Sequence, residues 1–222
     1  MTEYQLRETA ALGNTLIETE GGMLMEETGI ALAAVTIRTG KARAFANAFS
    51  KRYDCPPPDP RSAVTVRRQT IIASALDQVF IRRKGEPAGL MAQLEKDFSQ
   101  SATVTDQSDG WVQLALTGIR AGDVLERLAM IDCSDQAFPV GSAARTVMEY
   151  CGVIIVREKH KPVEGKRYLL LTQRSSAETV LHAILGSPPF RESSAVLADA
   201  DHLILQCIFD RGQQFRALRA GC

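Results

Sequence analysis

The side chains that could bind a metal or catalyse a reaction are scattered along this chain. Its three histidines, His160, His182 and His202, stand about twenty residues apart and fall on different predicted elements, which does not match the ligand spacing of a metal site. The sequence contains no glycine-rich nucleotide-binding loop, no H-E-x-x-H and no C-x-x-C. We therefore predict no catalytic residue, no metal ligand and no cofactor-binding residue on this chain.

Two possible nucleophiles have a simpler structural interpretation. Ser142, in the segment VGSAA, lacks the second glycine of a nucleophile elbow, so it does not indicate a hydrolase. Cys133 follows a predicted helix and would be reactive only if it were partly exposed beside cations. A small buried side chain is the more common role of a free cysteine, so we expect Cys133 to lie in the core.

Several charged residues lie beside predicted apolar strands and could orient a ligand. Asp106, Asp109 and Asp123 flank one such strand, although aspartate is also an ordinary turn and helix-start residue. Arg145 and Arg174 could clamp a carboxylate, including the glutamate tail of a folate, because a guanidinium binds carboxylates in a bidentate manner. We expect packing or surface ion pairs as the main role of both arginines.

The elements that must position these residues follow from hydrophobic periodicity. In the first half, runs of apolar and β-branched residues predict strands, and apolar residues at helical spacing predict helices. The predicted order is strand 30–37, helix 41–50, strands 63–68 and 75–82, a helix that begins at Pro87, and strand 102–105. This β-α-β-β-α-β order is typical of a ferredoxin-like unit.

The second half begins again in a similar way. Its predicted elements are strand 111–117, helix 121–130, strands 143–150, 152–157 and 168–173, and a last helix. Ser175 and Glu178 have the spacing of a capping box at the start of that helix, and Gly186 would end it. The sequence thus predicts an α+β fold made of two interlocked ferredoxin-like units with antiparallel sheets.

The domain organisation follows from the same patterns. Residues 1–28 carry six Glu against one Arg, which predicts a Glu-rich N-terminal arm, with ordered structure beginning near Gly29. The first α+β unit then spans 29–107 and the second 108–186. A C-terminal tail follows over 187–222, in which residues 202–209 could form a strand or a helix.

Charge and cysteine content limit the possible functions and compartments. Lys+Arg and Asp+Glu number 26 each, so attraction to polyanions is weak, and we predict no nucleic-acid partner. Residues 36–84 nevertheless carry eleven Lys/Arg against three Asp, which suits docking to a charged protein surface. The odd number of cysteines, five, indicates free thiols in a reducing compartment. With no visible signal peptide or membrane span, the sequence predicts a cytoplasmic protein with no membrane partner.

Four segments of the second half, taken together, resemble the gamma subunit of heterotetrameric sarcosine oxidase. They are 109–118 (DGWVQLALTG), 122–128 (GDVLERL), 137–146 (AFPVGSAART) and 167–185 (RYLLLTQRSSAETVLHAIL). The combination of FPVG at 138–141 with Arg174-Ser175 is the most specific part. The resemblance covers about residues 105–186, with a looser fit over 29–104.

The resemblance implies an aminomethyltransferase-like fold and a non-catalytic subunit that stabilises a flavoenzyme complex. The expected partners are a larger alpha subunit in direct contact, and beta and delta subunits of the same complex. FAD, FMN, NAD and tetrahydrofolate are expected on those partners and not on this chain, which would have no activity alone. The complex would oxidatively demethylate an N-methyl amino acid and pass the one-carbon unit to tetrahydrofolate. Met130 to Cys133 and the pair Leu181-His182 depart from the family pattern, which leaves the substrate open.

Two alternatives remain at this point. The chain could be the equivalent subunit of N-methylglutamate dehydrogenase, or it could be a free-standing folate-dependent aminomethyl or methyl transferase. As the surface that contacts a partner we predict Trp111, Phe138, Pro139 and Val140. Trp111 is the only Trp in the chain and interfaces are enriched in Trp, while the other three residues form a loop with no evident catalytic use.

Overall fold

The computed structural model describes residues 9–160 and 162–191. His202 and the predicted element over 202–209 lie outside these residues, as do the first eight residues of the predicted arm. The fold is α+β with two antiparallel sheets, which confirms the predicted fold class. In chain order the elements are β1 (Leu16–Thr19), β2 (Gly22–Glu26), β3 (Ile30–Ile37), α1 (Ala42–Tyr53), β4 (Ala63–Val66), β5 (Gln69–Ala75), β6 (Gln78–Lys84), α2 (Pro87–Phe98), β7 (Ala102–Asp106), β8 (Trp111–Gly118), α3 (Ala121–Leu128), β9 (Ala143–Met148), β10 (Cys151–Glu158), β11 (Lys166–Gln173) and α4 (Ala177–Leu185).

The two sheets have related topologies. The five-stranded sheet has the order β4-β5-β6-β3-β7, and the six-stranded sheet has the order β1-β2-β8-β11-β10-β9. Each contains a three-stranded meander (β4-β5-β6 or β9-β10-β11) whose last strand pairs with the strand before the first helix of its unit (β3 or β8). In the five-stranded sheet the next position is taken by β7, and in the six-stranded sheet it is taken by β2. The N-terminal hairpin β1–β2 therefore completes the second unit through β2, and the two units are interlocked.

The expectation that ordered structure begins near Gly29 is wrong. Residues 16–26 form the hairpin β1–β2, and β2 pairs with β8 so that Leu24 lies opposite Leu116. Gly22, Leu24 and Glu26 alternate as buried residues along β2, the pattern of a strand with one buried face. The many glutamates of this segment concealed that alternation.

One strand of the first unit was not predicted. Residues 75–82 were expected to form a single strand, but Ala75 ends β5 and Gln78 begins β6, with Leu76 and Asp77 in the turn between them. This turn contains no Gly, Pro or Asn, so the usual sequence signal of a hairpin is missing. The unit accordingly has one more strand than the predicted β-α-β-β-α-β order.

The capping box predicted at Ser175 and Glu178 does not form. Residues Arg174–Ser176 make a 3₁₀ turn, α4 begins at Ala177, and the N-cap residue Ser176 makes no side-chain capping hydrogen bond. The backbone of the 3₁₀ turn leads directly into the helix. The predicted end of α4 at Gly186 agrees with the structure, where Gly186 is the C-cap residue.

The elements stack in four layers, with helices outside two facing sheets. On β3, Ala31, Ala33 and Val35 face α1 and α2, while Leu32 and Ala34 face the other sheet. The layer between the sheets includes Leu32, Ile72, Phe80, Ile154 and Leu169. Fully burying an aliphatic or aromatic side chain contributes roughly 1.5–3 kcal/mol, so this layer holds the two units firmly together. None of the helices described is long and apolar enough to span a membrane.

Candidate functional site

A ring of four charged side chains lies where the two sheets meet. Arg82 of β6 contacts Glu27, a residue that follows β2. The Nη1 atom of Arg82 lies 3.3 Å from a carboxylate oxygen of Glu158, the last residue of β10. Arg167 of β11 closes the ring, with Nη2 2.5 Å from Glu27 and Nε 2.8 Å from Glu158. Arg82 Nε also donates to Gln113 Oε1 at 2.8 Å. Positive and negative groups alternate around the ring, so its net charge is zero.

The ring is largely withdrawn from solvent, with 10–18% of each side chain exposed. Burial alone lowers the pKa of Arg167, but the hydrogen bonds and charges of Glu158 and Glu27 outweigh burial, and the pKa is raised. A guanidinium held in this way stays protonated and is a structural cation. The ring therefore joins the β2–β3 connection, the five-stranded sheet and the six-stranded sheet.

Sequence analysis did not identify this ring. Glu27 was assigned to the N-terminal arm, and the other three residues were not singled out. A signal was available, because Arg82, Glu158 and Arg167 lie within or at the ends of strands rich in apolar residues. A charged side chain that becomes buried in such a strand requires an opposite charge.

A pocket of about 260 Å³ lies beside the ring. It is bounded by the N-terminal segment 9–14, the β2–β3 and β7–β8 connections, the start of β8, and Arg174 at the end of β11. The Glu26 carboxylate holds the N-terminal segment by accepting two backbone N–H groups. The Leu12 nitrogen lies 3.1 and 3.2 Å from its two oxygens, and the Asn14 nitrogen lies 2.9 Å from one of them. Arg174 Nη2 donates to the Thr9 carbonyl at 2.7 Å.

The structure brings together two of the charged residues that sequence analysis singled out. Asp109 and Arg174 both line the pocket, and the Arg174 N–H donates to the Gly110 carbonyl at 3.0 Å. The other three lie elsewhere: the Asp106 carboxylate accepts the Ser108 N–H at 2.9 Å, Asp123 pairs with Arg120 at 3.0 Å, and Arg145 is exposed on β9.

Among the described residues, the remaining ones that sequence analysis singled out as possible nucleophiles or metal ligands do not line the pocket. Cys133 is fully buried, as expected, and burial raises the pKa of its thiol to about 11. His160 Nε2 lies 2.9 Å from a Glu164 carboxylate oxygen, and His182 is in the last turn of α4. Ser142 lies in a backbone bridge with Ser62 that joins the two sheets.

The four residues predicted to contact a partner do not share one environment. Trp111 is half-buried, and the centroids of the Trp111 and Phe80 rings lie 5.3 Å apart in a T-shaped arrangement. Its Nε1–H donates to Gln107 Oε1. Phe138 is only 3% exposed and packs in the core of the second unit, so its side chain is not on the surface. Pro139 and Val140 are exposed, and the interface prediction remains a prediction for these two residues.

The loop that carries Pro139 and Val140 is held in place by Arg157. Its Nη1 donates to the Phe138 carbonyl at 3.0 Å and to Asp135 at 2.5 Å. Lys166 Nζ lies 2.9 Å from the same carboxylate oxygen, and these two cations lower the pKa of Asp135. These contacts therefore hold the loop at two points, the Asp135 carboxylate and the Phe138 carbonyl.

Comparison with solved structures identifies the class of fold. A chain of the heterotetrameric sarcosine oxidase from Corynebacterium sp. U-96, in complex with pyrrole 2-carboxylate, superposes with a TM-score of 0.67 at 20% identity, and the match covers 82% of this chain and 94% of that chain. The glycine cleavage system aminomethyltransferase T from Bartonella henselae superposes with a TM-score of 0.59 at 15% identity, over 75% of this chain. This chain spans about half the length of that protein, since the match covers 46% of it. The chain has an aminomethyltransferase-like fold.

Sequence comparison adds no closer relationship. No protein-family model matches the sequence. No curated protein matches it either. The structural similarities lie below 25% identity, so they define the fold, and the function has to be argued from the site.

Proposed function

We propose that this chain is a non-catalytic, gamma-type subunit of a multi-subunit flavoenzyme that oxidatively demethylates an N-methyl amino acid. In this proposal it stabilises the complex by packing on a larger alpha subunit. The beta and delta subunits complete the assembly. FAD, FMN, NAD and tetrahydrofolate are carried by these partners.

One observation carries the proposal. The similarity extends over 94% of a chain that belongs to heterotetrameric sarcosine oxidase, but over only 46% of aminomethyltransferase T. This chain thus corresponds in extent to a whole subunit of the first complex and to about half of the second protein. The comparison favours a subunit over a free-standing transferase.

The site supports a structural role. The four charged groups of the ring bind one another and connect three segments of the chain. Breaking such a ring to free a carboxylate for acid or base catalysis would leave an unpaired buried charge, which is unfavourable. The ring thus suits a protein whose task is to hold a fixed shape.

A small part of the surface supports the partner contact. Val140 is 57% exposed beside the exposed Pro139, in the loop that Arg157 holds. A fixed loop loses little conformational entropy when it binds, so its contacts contribute more fully to affinity. We therefore place Val140 and Pro139 in the alpha-subunit interface.

The test is affinity purification of the tagged full chain from its native cells, with masses and the absorbance spectrum of the recovered proteins. A yellow complex with two larger flavoprotein chains is the expected result. Val140→Asp should reduce recovery of the larger chains, because it places a charge in an apolar contact. Leu76→Asp is the matched control, since Leu76 is 89% exposed in the β5–β6 turn, and it should leave recovery unchanged.

The same experiment separates the alternatives. Recovery of a flavin dehydrogenase that oxidises N-methylglutamate, in place of a sarcosine oxidase, would assign the chain to that related complex. A colourless chain recovered alone, which binds tetrahydrofolate tightly after purification, would establish the free-standing transferase and contradict the subunit proposal.

A further inference from the structure

The pocket beside the ring contains one carboxylate without a partner among the described residues, and one guanidinium that the fold uses only in part. Of its lining carboxylates, Glu26 accepts three hydrogen bonds from backbone N–H groups and Glu27 binds two arginines. Asp109 makes no hydrogen bond or ion pair with any residue that the structure describes. Its carboxylate is therefore available to a ligand cation.

Arg174 provides the opposite charge at the same pocket. Its Nη2 group donates to Thr9, and the remaining N–H groups of its guanidinium have no acceptor among the described residues. The main chains beside Asp109 and Arg174 are joined by the hydrogen bond from Arg174 N–H to the Gly110 carbonyl, yet the two side chains form no ion pair. The pocket therefore presents a separate anion and a separate cation to the same small volume.

Trp111 adds an aromatic surface to the pocket. Its ring is held by Phe80 and its Nε1–H is satisfied by Gln107, so its position is fixed before any ligand arrives. An ammonium group near an indole face gains a favourable cation–π interaction. The carboxylate and the indole thus both favour a ligand ammonium group.

We propose that this pocket binds a small zwitterion of the α-amino-acid type, with its ammonium group at Asp109 and Trp111 and its carboxylate at Arg174. The pocket volume of about 260 Å³ suits such a ligand, because drug-sized ligands usually occupy about 300–1,000 Å³. Both charged side chains are exposed, so the expected affinity is weak, with a Kd of roughly 1–10 mM. This inference does not depend on the proposed subunit role.

Trp111 allows a direct test, because it is the only Trp of the chain and it lines the pocket. The purified full-length chain is titrated with L-alanine to about 100 mM, roughly tenfold above the weakest expected Kd, and Trp fluorescence is followed at constant ionic strength. Acetate and methylammonium, which each carry one of the two charges, are titrated in parallel. L-alanine should give a saturable change, and each half-ligand should bind at least about tenfold more weakly.

Two pairs of variants locate the binding. Asp109→Asn and Arg174→Met should each weaken L-alanine binding by about tenfold or more. Asp77→Asn, in the β5–β6 turn, and Arg145→Met, on β9, make the same changes away from the pocket and should bind like the wild-type chain. Circular dichroism checks that each variant is folded.

Three outcomes would overturn the proposal. They are a fluorescence response to L-alanine that does not saturate, saturation by acetate with equal affinity, and unchanged affinity in Asp109→Asn. Arg174 also holds the N-terminal segment, so if Arg174→Met disturbs folding, Asp109→Asn alone decides the question. Failure here would leave the subunit proposal untouched, because that proposal is tested by the proteins that co-purify.

Discussion

Removing one carboxylate from the buried ring should destabilise the whole chain. Glu27→Gln keeps the shape of the side chain but leaves Arg82 and Arg167 to share Glu158 alone. Removing one partner of a buried pair typically costs about 3–5 kcal/mol, because an uncompensated charge stays buried. The ring keeps 10–18% exposure, so we expect the lower end, about 3 kcal/mol. At about 2–4 °C per kcal/mol for a chain of this size, the melting temperature should fall by roughly 6–12 °C.

The assays are equilibrium unfolding in urea for the free energy and thermal unfolding for the melting temperature, both followed by the fluorescence of Trp111. This residue lies against Phe80 in the layer between the sheets and therefore reports on their separation. The matched control is Glu20→Gln, the same substitution at an exposed residue of the β1–β2 turn, and it should change stability by less than about 0.5 kcal/mol.

A double substitution tests the reasoning more sharply. Glu27→Gln with Arg167→Met restores the charge balance and leaves one Arg82–Glu158 pair. Because the two sites interact directly, the combined loss should be smaller than the sum of the single losses by at least about 1 kcal/mol. The reasoning is refuted if Glu27→Gln behaves like the exposed control, or if the two losses simply add.

Three further predictions concern single sites. Cys133 should resist iodoacetamide in the native chain at pH 8, because burial raises its thiol pKa to about 11 and only the thiolate reacts. Peptide mass mapping measures the labelling, and rapid labelling of Cys133 would contradict the prediction. Gly165→Ala should destabilise by more than about 2 kcal/mol, since Gly165 has φ +82° and a Cβ there would lie 2.2 Å from the backbone carbonyl carbon of Gly118, the last residue of β8. Gly152→Ala, where the added Cβ meets nothing within 4 Å, is the control and should be neutral or stabilising in the same urea assay. Glu26→Gln should speed amide hydrogen exchange at Asn14 relative to the wild-type chain, because it weakens the acceptor of that N–H, and unchanged exchange would show that the N-terminal segment is held by other contacts.

Much of the secondary structure was predictable because local patterns determine it. An apolar stripe at helical spacing with a proline at its start predicts a helix, and α2 begins at Pro87 as predicted. The clean alternation of the strand that begins at Trp111 likewise predicted β8. The missed hairpin β1–β2, which is rich in Glu, and the missed turn after β5 fall where a local signal was weak. The capping box at Ser175 and Glu178 had a clear local signal and still did not form.

The candidate site was predictable only in part. Sequence analysis named Asp109 and Arg174 as residues that could orient a ligand, but it expected packing or a surface ion pair as the main role of Arg174 and kept the ordinary turn role of Asp109 open. That they line one pocket depends on β8 and β11 being antiparallel neighbours, so that the start of one lies beside the end of the other. Phe138 shows the opposite case, since its place in a loop gave no sign that its side chain points into the core.

The sequence by itself determined the α+β class, the alternation that divides each strand into two faces, and the local course of most helices. Only the tertiary structure decided which distant residues meet. Glu27 and Arg167 are 140 positions apart and form an ion pair because β2 inserts beside β8 and completes the second unit. Hydrophobic periodicity specifies which side of an element is buried, but it carries no information about the partner of a buried charge. That partner is set by strand order, and strand order is a property of the whole fold.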